Sequence, residues 1–132
     1  MMDQTLWQKC VAFHGHACPG LAMGVRASLI ALDFFMDDIT DEDAPGITCT
    51  SSTAKCPSDG IRCVLNVDDG RGLTISEKEG DLCFDFARDG KHIILTALPG
   101  GGKLSMEENI IRILMGKPEE VFDSELPATC SR

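Results

Sequence analysis

The sequence has few basic residues and no long apolar run. Twelve Lys and Arg stand against 21 Asp and Glu, so the formal net charge is −9 over 132 residues. No basic cluster interrupts this acidic background, which argues against binding to nucleic acid or to anionic membrane surfaces. No apolar run approaches the roughly 20 residues that span a bilayer. Residues 1–9 lack the basic start and apolar stretch of a signal peptide, so we expect a cytoplasmic protein.

The chain also lacks cysteine pairs spaced as Cys-x-x-Cys, although it contains seven cysteines. The odd number and the absence of an export signal argue against a disulfide scaffold. In a reducing compartment each thiol is then either a small buried apolar group or a functional group. Three of them, Cys10, Cys63 and Cys83, lie on apolar faces of predicted elements and are expected in the core. Cys130 falls in a polar tail.

No repeat or shift in composition marks a second domain, so we expect one core domain over 1–122 and a polar tail over 123–132. Apolar periodicity and capping signals predict helices over 3–13 and 20–36, a helix that begins at Pro57, and a helix after a capping box at Ser105 and Glu108. Alternating or β-branched stretches predict strands over 46–50, 72–76, 81–87 and 91–98, the last two joined by a hairpin. The expected fold class is α+β, with a mainly antiparallel sheet packed with helices.

The residues with the clearest chemistry are His14, His16 and Cys18, which alternate along one short segment. If the segment is extended, all three side chains point to one side. Imidazole nitrogen and thiolate sulfur are donors that zinc and similar ions prefer. Pro19 suits the first position of a helix, which would make Cys18 the N-cap, where the helix dipole lowers the pKa of a thiol.

The same arrangement occurs at Cys56 and Pro57, so Cys56 is a second candidate N-cap thiolate. Asp59 follows three residues later. It could cap its own helix or project toward the same pocket as an oxygen ligand or a general base. The alternatives are a buried small residue at Cys56 and a first-turn acid stabilised by the helix dipole at Asp59.

Residues 13–27 (FHGHACPGLAMGVRA) closely resemble the opening motif of the FmdE family, named for one of the subunits of formylmethanofuran dehydrogenase. Residues 56–61 (CPSDGI) resemble the family's Cys-x-x-Asp-Gly/Ala-hydrophobic segment. The resemblance implies an α+β core that forms an intertwined homodimer with a metal-binding cleft. It also implies the metal ligands: His16, Cys18 and Cys56 are the leading candidates, and His14 and Asp59 are second candidates.

The chain departs from the family pattern at two positions near these motifs. Val67 stands where family members commonly have a second cysteine, and Arg62 stands where an amide is usual. Longer relatives append a C-terminal zinc finger, which the single Cys130 cannot supply. The chain therefore resembles a core-only member.

Three functional hypotheses follow. The first is a metal-binding homodimer with His16, Cys18 and Cys56 as ligands, completed or oriented by His14 or Asp59. Zinc is the expected ion, with nickel or iron open, and an enzyme of this kind would perform metal-assisted hydrolysis or lyase-type chemistry with Asp59 or His14 as proton carrier. The second is a thiol–disulfide redox protein that uses Cys18 and Cys56. The third is an accessory subunit or metal carrier for a larger oxidoreductase.

Overall fold

The computed structural model describes residues 4–36, 46–77, 80, 82–100 and 102–125. These residues contain five helices: α1 (Gln4–His14), α2 (Pro19–Phe34), α3 (Cys56–Leu65), α4 (Met106–Met115) and α5 (Pro118–Val121). They also contain six strands: β1 (Thr48–Ser51), β2 (Asp68–Asp69), β3 (Gly72–Ile75), β4 (Cys83–Arg88), β5 (Lys91–Ala97) and β6 (Phe122–Glu125). None of the helices in this described part of the chain combines the length and apolar character that a membrane span requires.

The six strands form one mixed sheet in the order β2-β3-β1-β4-β5-β6. Three neighbouring pairs are antiparallel: β1 with β4, β4 with β5, and β5 with β6. The pairs β1–β3 and β2–β3 are parallel. Helix α3 lies between β1 and β3 along the chain and provides the crossover that a parallel pair needs. The fold is α+β with a mainly antiparallel sheet, as the sequence predicts.

One face of the sheet supplies the core. Along β4, Phe84 and Phe86 are buried while their neighbours are only partly buried, which is the alternation expected of a sheet covered on one side. Leu73 of β3 and Leu95 of β5 are buried beside them. The helix predicted over 20–36 forms as α2, and it contributes more buried positions than any other described helix.

Helices α2 and α3 approach each other so closely that glycine is required at the contact. A Cβ atom at Gly24 would lie 1.9 Å from the carbonyl oxygen of Pro57. A Cβ atom at Gly60 would lie 2.6 Å from the backbone nitrogen of Val25. Both neighbours are backbone atoms, which cannot turn aside as a flexible side chain could. This contact fixes the beginning of α3 beside the beginning of α2.

Most of the predicted elements are confirmed within a few residues, including the capping box at Ser105 and Glu108 and the hairpin between β4 and β5. The short strands β2 and β6 were not predicted. Strand β6 pairs with β5, and it includes residues 123–125 of the segment expected to be a polar tail. Asp3, the first residue of the helix predicted over 3–13, and the rest of the tail, with Cys130, lie outside the described residues.

Candidate metal centre

The segment from His14 to Cys18 joins α1 to α2 in a tight turn. His14 is the last residue of α1, so the extended segment considered from the sequence is not formed there. Gly15 follows with a φ of +105°, which favours glycine, and lets the chain leave the helix. Cys18 is the N-cap of α2, as predicted, and its Sγ accepts a hydrogen bond from the backbone nitrogen of Leu21 at 3.3 Å.

Cys56 lies at the beginning of α3, although not in the capping position. The N-cap is Lys55, and Cys56 is the first helical residue, so the prediction of an N-cap thiolate at Cys56 is wrong. Burial and the neighbouring Cys18 thiol raise the pKa of the Cys56 thiol above its ordinary value. A Cβ atom at residue 20 would lie 2.9 Å from the Cβ of Cys56, so Gly20 allows the two helix starts to meet.

The turn and the two helix starts bring four donor side chains together. One donor atom from each of His14, His16, Cys18 and Cys56 lies within 4.8 Å of the other three. The His14 Nε2 and Cys18 Sγ atoms are 3.8 Å apart, and the centroids of the two imidazole rings are 4.5 Å apart. Two imidazoles and two thiols are a donor set that suits zinc and other borderline-soft ions. The cluster is therefore compatible with a bound metal ion.

Asp59 belongs to this region, but its carboxylate contacts the outer side of His14. The Asp59 Oδ2 and His14 Nδ1 atoms are 2.7 Å apart, and the His14 side chain is only 10% exposed. An ionised carboxylate can only accept a hydrogen bond, so Nδ1 carries the proton and donates it. In the neutral imidazole Nε2 is then the nitrogen without a proton, and it lies 3.8 Å from Cys18 Sγ. Carboxylate partners of this kind fix the orientation of metal-binding histidines.

Arg62 is the residue of the site that sequence reasoning did not identify as functional. Its Nη1 donates to Oδ1 of Asp59 at 2.9 Å, so both carboxylate oxygens of Asp59 are engaged. The spacing of Asp59 and Arg62, three residues apart on one helix, is a signal that could have suggested the pair. The sequence alone showed only that Arg62 departs from the family pattern.

The remaining described cysteines are not members of the donor cluster, and all six described thiols are free. Cys10 and Cys49 are fully buried, whereas Cys63 and Cys83 are partly buried against the core or on the sheet. Burial and the adjacent thiol of Cys63 raise the pKa of Cys10 to about 12. The sequence expectation of core positions is thus met fully at Cys10 and in part at Cys63 and Cys83.

The fold and the cluster together define the class of protein: an α+β domain with a two-histidine, two-cysteine site that could bind a metal ion. The family model described as FmdE, Molybdenum formylmethanofuran dehydrogenase operon, matches residues 13–123 of the 132-residue chain. The chain belongs to the FmdE family, which confirms the resemblance noted in its sequence. No curated protein matches the chain.

Proposed function

We propose that the protein binds one divalent transition-metal ion, most simply zinc, through His14, His16, Cys18 and Cys56. The observation that carries the proposal is the convergence of these four donors within 4.8 Å of one another. Isolated thiols and imidazoles are common in proteins, but four donors from two separate parts of the chain meet here. A bound ion would supply Lewis-acid chemistry at this site.

The four donors differ in how firmly they are held. Cys18 is fixed by its capping hydrogen bond, Cys56 by the close contact of α2 and α3, and His14 by Asp59. His16 is exposed at the surface. We propose that the first three residues hold the ion and that His16 occupies a fourth position, which a small ligand could take in its place. Such an exchangeable position is typical of catalytic rather than structural zinc sites.

The proposal gives Asp59 an orienting role rather than the proton-transfer role considered from the sequence. Both of its carboxylate oxygens already have partners, His14 on one side and Arg62 on the other. His14 is likewise assigned as a ligand through Nε2 rather than as a proton carrier. A hydrolytic or lyase-type reaction would then depend on the ion and on groups of the substrate.

Metal analysis of protein purified without chelator tests the proposal directly. We expect about one ion per chain in the wild type, and loss of the ion in both Cys18→Ser and Cys56→Ser. Cys83→Ser is the matched control, because Cys83 lies on β4 and contacts Thr96 rather than the cluster. A wild-type protein without metal, or metal retained in both site variants, would contradict the proposal.

A thiol–disulfide function is the second candidate, because the sulfur atoms of Cys18 and Cys56 lie within 4.8 Å of each other. In this case exchange with another disulfide would join the two sulfurs and reduce the partner to two thiols. The same purification separates the candidates. A wild-type protein without metal that reversibly loses two titratable thiols, but not in Cys18→Ser, would favour the redox function.

Location and assembly also remain proposals. The six thiols in the described part of the chain are all free, which favours a reducing compartment such as the cytoplasm. The homodimer and the role as an accessory subunit of a larger oxidoreductase rest on the family resemblance. Size-exclusion chromatography with light scattering of the purified chain would check the homodimer, and co-purification of a partner without small-molecule turnover would favour the accessory role.

A further inference from the structure

All three nitrogens of the Arg62 guanidinium donate hydrogen bonds to neighbouring side chains. Its Nε donates to Asp68 at 3.2 Å, its Nη1 to Asp59 and to the Ser58 hydroxyl, each at 2.9 Å, and its Nη2 to Asp69. The side chain is only 16% exposed. A single exposed ion pair contributes little to order, but a planar guanidinium held by three carboxylates and a hydroxyl has one orientation available.

The contacts of Arg62 continue into the candidate metal centre. Asp59 accepts from Arg62 through Oδ1 and from His14 through Oδ2, and the Nε2 of His14 lies 3.8 Å from Cys18 Sγ. A continuous series of polar contacts therefore runs from the exposed strand β2, through Arg62 and Asp59, to a candidate ligand. Without Arg62, the Asp59 carboxylate could turn away from His14 toward solvent, since nothing else described holds Oδ1.

We propose that Arg62 is a positioning residue of the metal centre. It fixes the Asp59 carboxylate, which keeps the proton of His14 on Nδ1 and directs Nε2 toward the ion. The inference rests on the proposed metal-binding function and adds to it a residue that the family pattern does not supply.

Positioning and simple electrostatics predict opposite effects of removing Arg62. A positive charge near the site repels a divalent cation, so Coulomb interaction alone predicts that Arg62→Gln binds metal more tightly. Positioning predicts weaker binding, because a mobile Asp59 orients His14 poorly. A purely structural role predicts lower thermal stability of the metal-free protein with unchanged metal affinity. The change in zinc affinity of Arg62→Gln (weaker, tighter or unchanged) therefore distinguishes the positioning role from the electrostatic effect and from a purely structural role.

The experiment measures the zinc dissociation constant by chelator competition at one fixed pH, with the absorption spectrum of the cobalt form as a second readout. We expect Arg62→Gln to weaken zinc binding by about 10-fold, at the low end of the effect of outer partners of metal ligands. Arg62→Lys should recover part of this loss, because it restores one charged donor but not the planar fork. The control is Arg112→Gln on α4, where the arginine donates to Asn109. Its affinity should match the wild type.

Two further variants show whether Arg62 acts through Asp59. Asp59→Asn alone should weaken zinc binding by at least as much as Arg62→Gln. The variant that combines Arg62→Gln with Asp59→Asn should bind zinc no more weakly than Asp59→Asn alone.

A second route is available if Arg62→Gln does not fold. The variant that combines Asp68→Asn with Asp69→Asn loosens the guanidinium of Arg62 from the exposed strand β2, and we expect zinc affinity to fall in this variant as well.

The outcomes are distinct. Equal or tighter zinc binding by a folded Arg62→Gln, or full additivity with Asp59→Asn, overturns the positioning role and leaves the proposed metal site intact. A wild-type protein that binds no zinc overturns both proposals together. A weaker affinity with an altered cobalt spectrum, partly recovered in Arg62→Lys, supports the positioning role.

Discussion

Gly24→Ala tests whether the close contact of α2 and α3 assembles the candidate metal centre. In the wild type a Cβ atom at this position would lie 1.9 Å from the carbonyl oxygen of Pro57, and 2.7 Å from its carbonyl carbon. Ordinary contacts begin near 3.4 Å. The helices would have to separate by about 1.5 Å at this point to accept the methyl group. Cys56 precedes Pro57 directly and would move with it.

The expected magnitude follows from two opposing effects. In an unhindered helix, alanine in place of glycine stabilises by up to about 1 kcal/mol. Overpacking of a rigid contact costs about 1–3 kcal/mol and occasionally more, and the neighbour here is backbone. Because the neighbour is rigid we take the upper cost of about 3 kcal/mol, and with the gain of about 1 kcal/mol we expect a net loss of about 2 kcal/mol in the free energy of unfolding, or roughly 8 °C in Tm for a domain of this size. Zinc affinity should fall as well, because the sulfur atoms of Cys18 and Cys56 would separate.

The assay is urea unfolding of the metal-free protein, followed by zinc competition on the folded variant. Gly102→Ala is the matched control: nothing lies within 4 Å of a Cβ at that position, so its stability should change by less than about 0.5 kcal/mol. If Gly24→Ala were as stable as the wild type, or more stable, the contact would not be as tight as described. Unchanged zinc affinity would show that the spacing of the two helices does not set the geometry of the site.

The remaining predictions concern the core and the helix ends. The pKa of Cys10 is raised from 9.0 to about 12, so the unfolded chain ionises first as pH rises. The contribution of the protonated Cys10 thiol to the free energy of unfolding should therefore be fully present below pH 9 and be lost between about pH 9 and 12. Urea unfolding at several pH values should show a smaller decrease in the free energy of unfolding over this range in Cys10→Ala. Ser105→Ala should cost about 1 kcal/mol in urea unfolding, because it removes one half of the capping box of α4. Arg26→Met should cost about 1–3 kcal/mol by the same measurement, since the guanidinium satisfies the carbonyl oxygens of Ile113 and Leu114 at 3.0 and 2.7 Å, and a normal unfolding midpoint would contradict this.

Local sequence signals were enough to predict most helices and strands, and they predicted the part of the site that lies at the beginning of α2. The apolar spacing of α2, the hairpin between β4 and β5, and the capping box at Ser105 depend on neighbouring residues, so the sequence predicted them directly. Cys18 followed by Pro19 predicted the N-cap of α2 for the same reason. The helix between β1 and β3 was also predicted, and it could have indicated their parallel pairing, since a crossover helix makes that arrangement favourable.

Strand β6 and the position of Cys56 could not be read in this way. Residues 122–125 carry a weak strand pattern, and they form a strand because the edge of β5 is available for pairing. Cys56 precedes Pro57 as Cys18 precedes Pro19. Helix α2 begins at its proline, whereas α3 begins at the cysteine before its proline. The same dipeptide therefore supplies the N-cap of α2 but the first helical residue of α3.

The amino-acid sequence by itself determined the fold class, the family and the residue types that can bind a metal, because these depend on local pattern and side-chain chemistry. Only the tertiary structure decided that donors about 40 residues apart converge, since this requires two helices to meet at glycines without side chains. It also decided the role of Asp59. A carboxylate can bind a metal, cap a helix or orient an imidazole, and the selection among these depends on His14, which is distant along the chain and which only folding places on Oδ2 of Asp59.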